Sequence, residues 1–246
     1  MNRAGSRARS VSLHAVFAMA LLVAGLAPAR PASAGPLDLN AKGRTDTDRD
    51  RDAYNKPAEL FAFWGIKDGM KVIDLFPGNG YVTLLLSQAV GPKGRVVGFA
   101  SYDHEAFDKR FKPLGLANVE EVPIPEPEGF GGDLTKALAK LPAGSFDAVV
   151  TIRNYHDLKT PAEALAELKR VLKPGGVLGI VDSRTTGGRD EDNHRIADDV
   201  IIREVLAAGF TLSGLSQMLS NPKDDYTKGF WDARWIVDQS CLKFTR

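Results

Sequence analysis

Short, wholly apolar runs alternate along this chain with stretches whose apolar residues recur every three or four positions. Val72-Ile73 leads through Asp74 and Leu75 into Phe76-Pro77-Gly78-Asn79-Gly80, and then Val82, Leu85, Leu86, Ala89 and Val90 carry helical spacing. A second apolar run, Val96 to Ala100, precedes a short helix with Phe107 and Phe111. A weak strand near Val119–Ile124 stops among Pro123, Pro125 and Pro127, and Asp133 is placed to cap a helix through Leu141. Phe146 to Ile152 is apolar on both faces, as a buried parallel strand is. Thr160-Pro161-Ala162-Glu163 has the form of a capping box with proline at N1. The helix it opens carries Leu165, Leu168, Val171 and Leu172; Lys173-Pro174-Gly175-Gly176 closes it before strand Val177–Val181. A helix over Ile196–Ala208 and strands near Phe210–Leu215 and Ser240–Phe244 complete the pattern, with Asn221–Trp235 irregular. Strands and helices alternating at this spacing predict a Rossmann-like, doubly wound, mostly parallel α/β sheet with helices on both faces.

The residues before this alternation read differently. Arg3, Arg7 and Arg9 precede an apolar run from Ala15 to Ala27, followed by Ala32-Ser33-Ala34. A basic segment, an apolar segment and an A-x-A site predict a signal peptide over 1–34, cleaved near Ala34, and hence a periplasmic or secreted protein. The run is shorter than the roughly 20 apolar residues that span a bilayer, so no stable membrane span is expected after processing. Residues 35–56 read as a leader and N-terminal helical extension, and 57–246 as the α/β domain. Within the extension, Asp46 to Asp52 alternates charge sign, which predicts a solvated helix face or loop; its arginines are also suited to closing over an anionic ligand. Pro57, Leu60, Phe61, Phe63, Trp64 and Gly65 predict a helix capping one end of the sheet.

Charge narrows the partners. The formal net charge of +1 becomes −3 once the four arginines and no acids of residues 1–34 are removed. No clustered basic face points to nucleic acid. The single cysteine, Cys241, cannot form an internal disulfide. A small-molecule partner is expected, and the sequence leaves the oligomeric state open.

The chemistry centres on the first turn. Strand, glycine turn and helix present backbone N–H groups and a helix N-terminus to a ligand at the carboxyl end of an α/β sheet. Asp74-Leu75-Phe76-Pro77-Gly78-Asn79-Gly80 resembles the first motif of class I S-adenosylmethionine-dependent methyltransferases. Phe146-Asp147-Ala148-Val149 is similar to the opening of that family's fourth strand, and Leu172-Lys173-Pro174-Gly175-Gly176 to its turn before the fifth. The three come in family order over residues 57–246. More narrowly, Arg153-Asn154-Tyr155-His156-Asp157 resembles a motif of a group of exported, predicted methyltransferases.

The resemblance implies a seven-stranded sheet with its last strand antiparallel, and S-adenosylmethionine as cofactor. It implies a cofactor site of Asp74, Phe76, Gly78, Asn79, Gly80 and Tyr81, with Gly78 and Gly80 under the amino-acid portion and Asp74 meeting its amino group. Two departures stand out: Phe76 replaces the first glycine of the usual alternation, and Val96–Ser101 lacks the family's ribose-binding acid, leaving Asp103 or Glu105 as substitutes. A nicotinamide-binding domain fits less well, since no third glycine follows Gly80.

Asn154, Tyr155, His156 and Asp157 are the candidate catalytic residues, because residues past the first and fourth strands face one crevice. Amine methyltransferases of the resembled family carry a polar-Pro-Pro-aromatic motif here, and Asn154-Tyr155 lacks its prolines. His156 is a candidate general base by its ordinary pKa of about 6.5. Asp182, Arg184, His194 and Arg195 are further candidates for the crevice, and Trp231 and Trp235 for a cover, a core or an interface. Of His104, His156 and His194, no two lie at a ligand spacing such as His-x-x-x-His, so no metal is expected. The expected function is methyl transfer from S-adenosylmethionine to an unknown small-molecule or envelope acceptor; the alternative is a non-catalytic nucleoside- or ligand-binding module on the same fold.

Overall fold

Alternation within each strand decides what faces each side of the sheet. In β1 (Lys71–Leu75), Ile73 and Leu75 enter one apolar cluster and Val72 the other, so the sheet is buried on both faces. The computed structural model describes residues 35–99, 103–123, 134–233 and 236–246. The expected signal peptide, Asp133 as a helix cap, and Trp235 lie outside the described residues.

After β1 come α3 (Tyr81–Val90), β2 (Arg95–Phe99), α4 (His104–Phe111), β3 (Val119–Val122), α5 (Leu134–Ala139), β4 (Phe146–Ile152), α6 (Pro161–Val171) and β5 (Leu172–Ser183). Then follow a hairpin of β6 (Arg189–Asp190) and β7 (Arg195–Ile196), α7 (Asp198–Ala207), β8 (Thr211–Leu215), α8 (Phe230–Ala233) and β9 (Gln239–Thr245). The main sheet has seven strands in the order β3-β2-β1-β4-β5-β9-β8. β9 is antiparallel to both its neighbours, and β1 to β5 are parallel. The expected doubly wound fold is present. The order reverses between β1 and β4, which places a crevice at their carboxyl ends.

Four local expectations are corrected. The alternating charges form α1 (Asp46–Asn55), opened by a capping box between Thr45 and Asp48. One face, with Asp46, Arg49 and Asp50, is solvated as expected, but the other is packed: Asp48 meets Arg110 of α4 at 2.7 Å, and Asp52 meets Arg44 at 2.5 Å. Thr160 makes no side-chain cap to α6, so the Thr160–Glu163 box does not form. Arg195-Ile196 belongs to the hairpin, and the helix after it starts at Asp198. Finally, α2 (Pro57–Trp64) lies against a sheet face rather than capping an end.

That last contact is close. Trp64 is wholly buried, its indole N–H donates to the Leu242 carbonyl at 3.0 Å, and a Cβ on Gly179 of β5 would stand 2.5 Å from the indole ring. Gly179→Ala should therefore cost about 2 kcal/mol in urea unfolding, since neither the strand nor a ring locked in the core can yield cheaply. An unchanged midpoint would show that the indole does not rest on β5.

Candidate functional site

The turn after β1 opens on the crevice, and its backbone is unusual. Phe76 (φ 59°), Gly78 (φ 54°) and Gly80 (φ 80°) take left-handed conformations at alternate positions. For Phe76 this costs about 1 kcal/mol, offset by anchoring on both sides: its N–H donates to the Phe99 carbonyl (2.9 Å), and its carbonyl accepts from Asn154 Nδ2 (3.3 Å). The side chain belongs to the core cluster and is 4% exposed. Phe76 thus forms wall rather than plug, and a cavity of about 400 Å³ lies between this turn and the loop after β4.

Of the six expected cofactor residues, Asp74, Phe76, Gly78, Asn79 and Tyr81 line that cavity. Gly80 does not. A Cβ there would lie 2.3 Å from Phe111 and 3.2 Å from Phe107, so Gly80 is bare to admit the α4 rings rather than a ligand. Asp74 is 2% exposed and accepts a hydrogen bond from Thr83 Oγ1 at 2.7 Å; burial pushes its carboxyl up to about 7 against that bond. Asp103, which caps α4, lines the cavity on the side where β2 ends without an acid; Glu105 does not.

The loop after β4 divides. Asn154, His156 and Asp157 line the cavity. Asn154 also clasps two strand ends, donating to the Phe76 and Ile152 carbonyls. Tyr155 points the other way: it is 2% exposed in the core and donates to Glu204 Oε2 at 2.8 Å, so it is a packing residue, not a crevice residue. Arg153, at φ 58°, also lines the cavity; it is held by Asn55 Oδ1 (3.0 Å) and Gln239 Oε1 (3.1 Å) and lies over the Phe230 ring at 4.4 Å.

His156 is the most constrained group. Its Nδ1 stands 2.7 Å from Oδ1 of Asp182, a carboxylate with no solvent exposure. Asp182 also accepts from the backbone N–H groups of His156 (2.9 Å) and Ser183 (2.8 Å). His156 Nε2 faces Asp157 Oδ2 and His194 Nδ1, each at 3.2 Å. Burial alone would lower the pKa of this imidazole, but Asp182 and Asp157 more than reverse that and raise it to about 9. A ring held protonated near neutrality is a poor resting base, which corrects the role its ordinary pKa suggests.

His194, at φ 52°, lines the cavity too. Arg184 and Arg195 do not: Arg184 pairs with Asp198 and Asp238, and the wholly buried Arg195 pairs with Asp224 at 2.8 Å. Trp231 is exposed at the cavity edge. Sequence reasoning did not single out Arg51 individually; it lines the cavity from α1, and its Nε is buried without a hydrogen-bond partner. The charge alternation of α1 was its only signal.

Comparison with known proteins adds the following. Residues 73–180 match a family described as a methyltransferase domain. The chain is 35% identical over 131 residues to a sterol 24-C-methyltransferase of Gibberella zeae, covering 53% of this chain and 32% of that protein. It is 26% identical over 125 residues to a demethylmenaquinone methyltransferase of Listeria welshimeri, covering 51% and 50%. The chain therefore spans a third to a half of these relatives. An S-adenosylmethionine-dependent methyltransferase of Aquifex aeolicus superposes with a TM-score of 0.59 at 22% identity, over 82% of this chain and 99% of that one. Residues 73–180 thus carry the pattern of a methyltransferase domain, set in a sheet with the fold of S-adenosylmethionine-dependent methyltransferases.

Proposed function

We propose that the chain binds S-adenosylmethionine between the β1 turn and the β4 loop and methylates a small-molecule acceptor. The observation that carries this is a single cavity, about 400 Å³, with Asp74 and Asp103 on one side and the polar loop of Asn154, His156 and Asp157 on another. The volume lies within the roughly 300–1,000 Å³ usual for ligand sites. The donor set fits the cofactor: Asp74 for the ammonium, Asp103 for ribose hydroxyls, and the buried, unpartnered Arg51 Nε for the carboxylate. When bound, the sulfonium supplies a methyl group that an acceptor lone pair displaces in line. The protein's share is mainly to align the acceptor and exclude water, with Asn154 holding the two loops at a fixed separation. Neither departure from the family pattern argues for a non-catalytic module, because Phe76 leaves the cavity open and Asp103 stands at its rim.

Calorimetric titration with S-adenosylmethionine and its demethylated product tests the reading. Saturable one-to-one binding of both is expected, followed by methyl transfer in a panel of small-molecule acceptors. Binding of neither compound would refute it. Residues 1–34 read as a signal peptide, and sequencing of protein recovered outside the cytoplasm should begin near Gly35; an intact Met1 there would reject cleavage, and recovery in the cytoplasm alone would reject export.

A further inference from the structure

We infer that His156, Asp157 and His194 form a site for one divalent transition-metal ion of the zinc class, opening on the same cavity. The three residues offer one ligand atom each, all within 4.8 Å of one another. Their separations are His156 Nε2 to Asp157 Oδ2 3.2 Å, His156 Nε2 to His194 Nδ1 3.2 Å, and His194 Nδ1 to Asp157 Oδ1 3.5 Å. Ligands about 2.0–2.2 Å from a common ion, at tetrahedral to octahedral angles, stand roughly 2.8–3.6 Å apart. Each pair of residues already meets at that spacing, the two imidazoles through opposite oxygens of the Asp157 carboxylate, and with one ligand atom taken from each residue all three lie within 4.8 Å.

The support behind the triangle is also that of a metal site. Asp182 accepts from His156 Nδ1 and is fixed by two backbone N–H groups, which sets the tautomer and aims Nε2 at the other two groups. A buried carboxylate behind a ligating histidine is the usual orienting arrangement for a metal-bound imidazole. Without an ion, the one hydrogen on Nε2 must serve both Asp157 and His194, and it can point well at only one. A divalent ion meets both at once, and its charge is balanced by the carboxylates of Asp157 and Asp182. Two imidazoles and one carboxylate suit zinc and its neighbours better than calcium or magnesium.

Three protein ligands leave a coordination position open, and all three residues line the cavity. The ion would bind an ionisable hydroxyl of the acceptor, and the hydroxyl would lose its proton to solvent on coordination. The resulting oxygen would attack the methyl carbon, and the carbon–sulfur bond would break with its electron pair returning to sulfur. This last assignment of a metal-binding, oxygen-bearing acceptor rests on the methyl-transfer reading; the ion site does not.

The experiment strips the full chain with a chelator, then titrates it with Co²⁺, followed by visible absorption, and with Zn²⁺, followed by calorimetry. One ion per chain is expected. His194→Ala and Asp157→Asn should each weaken Co²⁺ binding about tenfold or more, and Asp182→Asn about 10–100-fold, with circular dichroism checking each fold. His194 is partly exposed on a hairpin loop, so its variant keeps the test clear of folding defects. Absence of Co²⁺ and Zn²⁺ uptake, or equal Co²⁺ affinity in His194→Ala, overturns the site. S-adenosylmethionine titrations on the same samples separate the two ideas. Cofactor binding without metal removes only the ion, and metal binding without cofactor upholds the ion and removes methyl transfer.

Discussion

Asp74→Asn should make the ligand-free protein more stable at pH 8 while weakening its hold on S-adenosylmethionine. The carboxyl is 2% exposed, it accepts from the Thr83 hydroxyl at 2.7 Å, and burial raises its pKa from 3.8 to about 7. The folded state therefore holds a proton that the unfolded chain releases between those pH values. Stability falls as pH rises from about 4 to about 7, and the full deficit is present above 7. Asparagine removes it, and the gain should be about 4 kcal/mol at pH 8 and near zero below pH 4. Thr83 can still donate to the amide oxygen, so the packing survives. The charge-assisted bond that we propose from Asp74 to the cofactor ammonium would be lost, and affinity should drop roughly 10–100-fold. Urea titrations at pH 4 and 8, with calorimetry at pH 8, check both halves. A variant that loses stability at pH 8 would show that Asp74 is held by more than Thr83.

Gly80→Val should damage the fold itself, not merely ligand binding. Valine at φ 80° meets the left-handed penalty that glycine escapes, and its Cβ would be 2.3 Å from Phe111 Cε2 and 3.0 Å from Cζ. Backbone strain and overpacking together should cost about 3–5 kcal/mol, lowering the melting midpoint by roughly 6–20 °C. Phe111→Ala in the same chain should return part of the loss, because the two sites share one contact. Strictly additive losses would rule out the collision. Native stability in the single variant would mean that α4 does not pack on the turn.

What the sequence disclosed was whatever repeats locally. The β1 run, the helix after it, the apolar β4 and the two closing strands each declare themselves within a dozen residues, and the doubly wound, mostly parallel class of the sheet follows from their alternation. Contacts between distant segments stayed hidden. His156 and His194 are 38 residues apart, and the hairpin that brings them together has strands of two residues each, too short to show any period. Asp48 and Arg110 look like solvated charges until α1 folds onto α4. Tyr155 was read with its polar neighbours, yet it opens a short 3-10 turn over Tyr155–Asp157 that buries its side chain in the core while His156 and Asp157 line the cavity. Gly80 matched a ligand motif by type while its lost side chain serves an aromatic pair. A glycine reports that space is needed, not what fills it.

β9 has a bearing on how this protein comes into being. It is the last of the described strands to be made, yet it occupies an interior place, between β5 and β8. Until residue 245 has left the ribosome, β8 has no lateral partner and the indole of Trp64 lacks its acceptor, the Leu242 carbonyl. A nascent chain lacking β9 leaves the edge of β5 and the whole of β8 unpaired, the kind of surface on which chaperones act. Closure of this side of the sheet therefore waits for the last of the described strands, and β5 and β8 are joined only when β9 slots between them.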